Sequence, residues 1–134
     1  MIISFILHVQ VYVPVNHDNK HWIVMIIHPK EREIVICDSL DSNPLLQYKK
    51  EIRVMTEGLP TLFHFTGDAS AFDREWSVRE EVNLPKQRNG SDCGIYVMKY
   101  IDILCGGDIL SNKQFHDTQL FRDSLAYDCL SIHD

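Results

Sequence analysis

The sequence predicts one mixed α+β domain, with strands early and helices late. Three observations carry that expectation. The chain has 134 residues, 45% hydrophobic and 24% charged, which is an ordinary globular composition with material for one core. Alternating and β-branched runs crowd the segment before residue 40, whereas spacings of three and four dominate after it. No internal repeat or low-complexity stretch breaks the order. Residues 1–134 are therefore read as a single domain.

The elements follow in turn. Met1 to Leu7 is apolar but stops at His8, without a basic leader or a small-residue cleavage site, so it reads as a buried strand or a non-native leader rather than a signal peptide. Val9 to Val15 alternates and reads as a strand, which Pro14 places at a sheet edge. Asn16 to Lys20 is a polar turn. Trp22 to Ile27 is continuously apolar and reads as a strand buried on both faces; after a turn at Pro29–Arg32, Glu33 to Asp38 returns as its hairpin partner. Asn43 caps a helix with Pro44 in its first turn, Leu45, Tyr48, Ile52 and Met55 form its stripe, and Gly58 ends it.

The second half is predicted with more gaps. Leu59 to Asp73 is irregular, Trp76 to Leu84 reads as a further strand, and Pro85 to Asp92 is a loop. Cys93 to Cys105 reads as a central buried helix, apolar almost all round, capped by Ser91 or Asp92 and stopped by Gly106-Gly107. Ser111 and Gln114 fit a capping box for a last helix carrying Leu120, Phe121, Leu125, Cys129 and Ile132.

Charge and cysteine usage exclude several classes. The net charge is −6, with the excess scattered through the second half, so a basic nucleic-acid footprint is not expected. No run approaches the length of a membrane-spanning helix. Cys37, Cys93, Cys105 and Cys129 are too sparse for a disulfide scaffold and wrongly spaced for zinc, which predicts reduced thiols in an intracellular protein. No metal or organic cofactor is expected.

One cysteine stands apart. Cys93 follows Asn89-Gly-Ser-Asp92 and precedes Gly94 at the start of a predicted helix, where the positive end of the helix dipole favours a thiolate. Gly90 and Gly94 leave its approach uncrowded. Cys37 falls mid-strand, and Cys105 and Cys129 fall on apolar helix faces, so these three read as inert packed thiols.

A nucleophilic cysteine needs a base, and the base needs an orienting acceptor. If the hairpin is centred between Lys30 and Glu31, residues whose numbers sum to 61 face each other. Ile23 then opposes Asp38, and Asp38 becomes the diagonal neighbour of His21 on one face, within side-chain reach. A slip of one residue would put Asp38 on the other face. Gln87 precedes Cys93 by six residues, and its amide together with the Cys93 N–H could hold a developing oxyanion. Singly, each has a plainer explanation: a packed helix-start cysteine, a turn histidine, a strand-end aspartate, a solvated glutamine. Their joint order is the signal.

The string Gln87-Arg-Asn-Gly-Ser-Asp-Cys93-Gly94, with His21-Trp22 and Asp38-Ser39 upstream, resembles the ubiquitin-like-protein cysteine proteases. These are SUMO-specific endopeptidases and isopeptidases, distantly related to the adenovirus protease. The resemblance covers about residues 9–130. It implies a papain-like, adenain-like fold in which a mixed sheet packs on a central helix headed by the cysteine. It implies a triad of Cys93, His21 and Asp38, with Gln87 at the oxyanion. It also implies that Trp22 lies over a narrow channel for a Gly-Gly tail, with Gly94 and Asn89 facing substrate. A flat aromatic lid admits glycine and excludes side chains.

The implied activity is cleavage after the C-terminal Gly-Gly of SUMO or another ubiquitin-like modifier, in the nucleus or cytoplasm. Family members usually carry a helical portion, with a second tryptophan, before the strand matching Val9–Val15. Only eight residues precede it here, so the expectation is a C-terminal catalytic part shortened at its N-terminus, with exposed apolar surface where those helices would pack. Two rivals follow: an inactive module that binds a modifier or partner, and a protease for another modifier or a viral-type precursor. Oligomeric state is not encoded in any motif here.

Overall fold

A computed structural model of the chain describes residues 9–40, 43–64, 75–111, 113, 115 and 118–131. Strand β1 (Val11–His17) pairs antiparallel with β2 (His21–His28), which pairs antiparallel with β3 (Glu33–Cys37). Strand β4 (Ser77–Glu80) joins β3 in parallel, giving a mixed sheet in the order β1-β2-β3-β4. Helices α1 (Pro44–Gln47) and α2 (Lys49–His64) make the crossover before β4, and α3 (Cys93–Cys105) and α4 (Thr118–Ser131) follow it.

The sheet is apolar on both faces at its centre. Ile23, Met25, Ile27, Ile34 and Ile36 point to one side, where Tyr48 and Leu59 cover them. Val24, Ile26, Val35 and Cys37 point to the other, against Tyr96, Val97 and Tyr100 of α3. This explains the apolar run Ile23–Ile27 in β2, where neither face meets water; Trp22, expected to be buried with them, is exposed. Fully burying each such side chain contributes roughly 1.5–3 kcal/mol. Strand β1 is the edge strand, as Pro14 requires, but begins two residues later than its alternation suggests and extends to His17. The turn to β2 places Asp18 and Asn19 at φ of 52° and 57°, a left-handed conformation that short Asx side chains tolerate.

The hairpin register is the one the sequence arithmetic gives. Val24 pairs with Cys37 and Met25 with Ile36, each pair summing to 61. Helix α3 also spans its predicted residues, Cys93–Cys105. It is not apolar-buried all round, however: Met98 faces solvent while Cys93, Ile95, Tyr96, Val97 and Tyr100 pack inward.

Three other expectations need correction. Gly58 does not end the helix that follows Asn43; the backbone breaks at Tyr48, and α2 then runs through Gly58 and Pro60. A helical glycine costs about 1 kcal/mol, and burial of Leu59 in the sheet's core offsets it. Asn43 does occupy the cap position, but without a side-chain cap bond, and Leu45 is exposed rather than part of the stripe. Helix α4 has no buried residue, and Cys129 on it and Cys105 at the end of α3 are exposed rather than packed. The segment Met1–Leu7, Gln114 of the capping box and Ile132 lie outside the described residues.

Candidate active site

The hairpin brings the first pair together. His21 opens β2 and Asp38 follows the last residue of β3, on one face. His21 Nε2 lies 2.7 Å from Asp38 Oδ1. Both are buried, His21 to 8% exposure and Asp38 to 1%. A carboxylate so far from water needs several donors. Asp38 has them: its Oδ1 also accepts the Leu40 N–H at 3.0 Å, and its Oδ2 accepts the Tyr48 hydroxyl at 2.7 Å. Lys86 Nζ caps the neighbouring backbone, donating to the carbonyls of Asp38 at 2.8 Å and Leu40 at 3.3 Å.

The loop before α3 is built as tightly. The Gln87 N–H donates to the Ser39 carbonyl at 2.8 Å, and the Ser39 hydroxyl donates to Gln87 Oε1. Gln87 Nε2 donates to the Asn89 carbonyl at 2.5 Å. The glutamine amide is thus held with its oxygen towards the strand end and its nitrogen towards the loop that leads to Cys93. Asn89 turns its side chain into its own loop. Its Oδ1 accepts the N–H groups of Ser91 and Asp92, each at 3.0 Å, and its Nδ2 donates to Asp92 Oδ2 at 2.9 Å. Those bonds shape the turn that leads to Cys93.

Asp92 closes the assembly. It occupies the position before α3 without a side-chain cap bond, since its carboxylate is engaged elsewhere. Arg122 Nη2 of α4 donates to Asp92 Oδ1 at 2.7 Å, and Thr118 Oγ1 donates to Oδ2 at 2.9 Å. The Arg122 bond, then that of Asn89, hold the Asp92 carboxyl below its ordinary range.

Cys93 itself is buried to 7% exposure at the first turn of α3. Trp22, next to His21, is 41% exposed. A Cβ placed on Gly94 would lie 3.7 Å from Trp22 Cδ1, so the indole rests against the start of α3 beside Cys93. Among the described residues no hydrogen bond links the Cys93 sulfur to His21. Bonds between catalytic groups often tighten only when substrate arrives. Cys37, by contrast, is pushed up to about 12, chiefly by burial and then by Glu81, which keeps it a thiol. Among the described residues no cluster of His, Cys, Asp and Glu is arranged to hold a metal ion.

Sequence reasoning gave no site role to Ser39, Tyr48, Lys86 or Arg122. Tyr48 left a trace: a tyrosine on a buried stripe must find a partner for its hydroxyl.

A family model described as the Ulp1 protease family, C-terminal catalytic domain, matches residues 7–134. The chain belongs to the Ulp1 protease family. Among curated relatives, the ubiquitin-like-specific protease ESD4 of Arabidopsis thaliana is 30% identical over 112 residues, covering 79% of this chain and 21% of the relative. A sentrin-specific protease of Caenorhabditis elegans is 31% identical over 94 residues, covering 67% of this chain and 12% of the relative. Among solved structures, the C-terminal Ulp1 protease domain in complex with Smt3, the yeast orthologue of SUMO, aligns with a TM-score of 0.59 at 23% identity, over 81% of this chain and 46% of that one. This Ulp1-family chain therefore shares the fold of part of that domain, and it spans less than half the length of these relatives.

Proposed function

We propose that this chain is the catalytic part of a thiol protease that cleaves after the C-terminal Gly-Gly of a small ubiquitin-like modifier, SUMO first among them. The observation that carries the reading is the buried His21–Asp38 pair, 2.7 Å apart, at the end of the sheet where Trp22 rests on the start of the Cys93 helix. Family membership and the relatives' names support the substrate class.

The chemistry follows from the bonds already made. Asp38 occupies His21 Nε2, which leaves Nδ1 to take the Cys93 proton. The thiolate attacks the carbonyl carbon of the terminal glycine. Gln87 Nε2, fixed through its own oxygen by Ser39, and the Cys93 N–H donate to the oxyanion. The tetrahedral adduct collapses, the C–N bond breaks, and the departing amine takes its proton from His21. Water then attacks the thioester, giving a proton to His21, and the modifier leaves as a carboxylate while Cys93 regains its thiol. Trp22 covers the tail, so a residue larger than glycine next to the scissile bond is excluded. In this reading Gly94 lets the indole lie flat, and Asn89 shapes the loop.

Fusions of SUMO and of other ubiquitin-like modifiers to a reporter test the proposal. Cleavage after Gly-Gly by the wild-type chain, abolished by Cys93→Ser, is expected. Folded protein that binds a modifier equally well as wild type or Cys93→Ser, and cleaves none, would instead establish a binding module.

A further inference from the structure

We infer that Tyr48 is a positioning residue for the proposed triad: its hydroxyl fixes the Asp38 carboxylate and, through it, the His21 ring. The inference deepens the proteolytic reading and rests on it for its kinetic consequences; the geometry stands independently.

Tyr48 sits at the break between α1 and α2, with φ −105° and ψ 29°, where the chain leaves the helical path and turns a fully buried ring under the sheet. The surrounding cluster consists of Ile23, Met25, Ile27, Ile34, Ile36 and Leu59. In such company a phenylalanine or leucine would pack as well, so the hydroxyl needs its own explanation. It donates to Asp38 Oδ2 at 2.7 Å, while Asp38 Oδ1 meets His21 Nε2 at the same distance. With one oxygen held by Tyr48 and the other by His21 and the Leu40 N–H, the carboxylate cannot rotate. The Tyr48 ring also lies nearly parallel to His21, at 18° with centroids 6.5 Å apart.

The tyrosine is clamped from its far side as well. His17 meets its ring edge-on, centroids 4.9 Å apart, and His17 Nδ1 lies 2.6 Å from Glu51 Oε1 on α2. A second histidine–carboxylate pair thus holds the ring that holds the first. Tyr48 reaches no reacting atom; it acts through Asp38.

The test is Tyr48→Phe in the full chain, read in two ways. Cleavage of a modifier fusion should lose on the order of tenfold in kcat with KM unchanged, the scale of removing one donor from a buried carboxylate. The His21 Nε2–H proton resonance should shift or broaden. In an Asp38→Asn background, Tyr48→Phe should cost nothing further. An unchanged His21 resonance, or a full additional loss in the Asp38→Asn background, overturns the inference. If wild type cleaves no fusion, the proteolytic reading fails and the resonance alone judges Tyr48. Should Tyr48→Phe not fold, difluorotyrosine placed at position 48 alone changes the strength of the donor while keeping the ring. A displaced His21 resonance then supports the role, and an unmoved one refutes it.

Discussion

The two ends of the Cys93 neighbourhood are held in opposite ways. On the sheet side, His21 on β2, Asp38 just beyond β3 and Tyr48 at the break between α1 and α2 are all buried, and their polar atoms are fixed by short hydrogen bonds. On the other side, α4 buries none of its residues and is tied to the loop before Cys93 by Arg122 and Thr118 on Asp92. His21, the proposed base, is placed by packing; the loop that leads to Cys93 is steadied by charge. Packing tolerates salt and acid, whereas an ion pair between a half-exposed arginine and a carboxylate does not.

That contrast sets a ranking of outcomes. Cys93→Ala should abolish modifier cleavage, by on the order of 10⁴–10⁶-fold, without lowering the melting temperature, and fusion cleavage with thermal denaturation checks both. Met25→Ala, on the packed side, should destabilise the fold by about 2–5 kcal/mol, measured by urea unfolding. If it costs no more than a surface change, the sheet is not what places His21.

Arg122→Ala, on the charged side, should cost about 1–2 kcal/mol, since it leaves the Asp92 carboxylate with neutral partners only. The pH dependence sharpens the comparison. Asp92 is held below its ordinary range when folded, so its contribution is present above about pH 3.9 and fades as pH falls through the lower folded value. The gap between wild type and Arg122→Ala should therefore close on acidification below pH 4, while that between wild type and Met25→Ala should persist. Leu130→Ala, on the exposed face of α4, should stay within about 0.5 kcal/mol of wild type.

The sequence revealed the packed side far better than the charged one. A hairpin obeys arithmetic: once the turn at Lys30–Glu31 is recognised, alternation fixes which residues share a face, and the ladder from Val24–Cys37 to His28–Glu33 follows. Helix α3 was equally legible, because Asp92 and Gly106 bracket one dense apolar run. Gly58 misled because its local helix cost is outweighed by a long-range contact of Leu59, which no window of sequence contains. The bonds Ser39–Gln87, Tyr48–Asp38 and Asp92–Arg122 join residues 48, 10 and 30 positions apart, and polar partners at such distances leave no periodic trace. Tyr127 and Leu130 are exposed, as is the rest of α4, although apolar residues at helical spacing predict a packed face there.

In the proposed mechanism Cys93, heading α3, reacts with the help of His21 across the end of the sheet. A modifier bearing a C-terminal vinyl sulfone in place of its last glycine tests it most directly, read by intact mass and peptide mapping. A single adduct on Cys93 is expected, lost in His21→Ala although that variant remains folded. An adduct on exposed Cys105 or Cys129 instead, or labelling of Cys93 that is indifferent to His21, would contradict it.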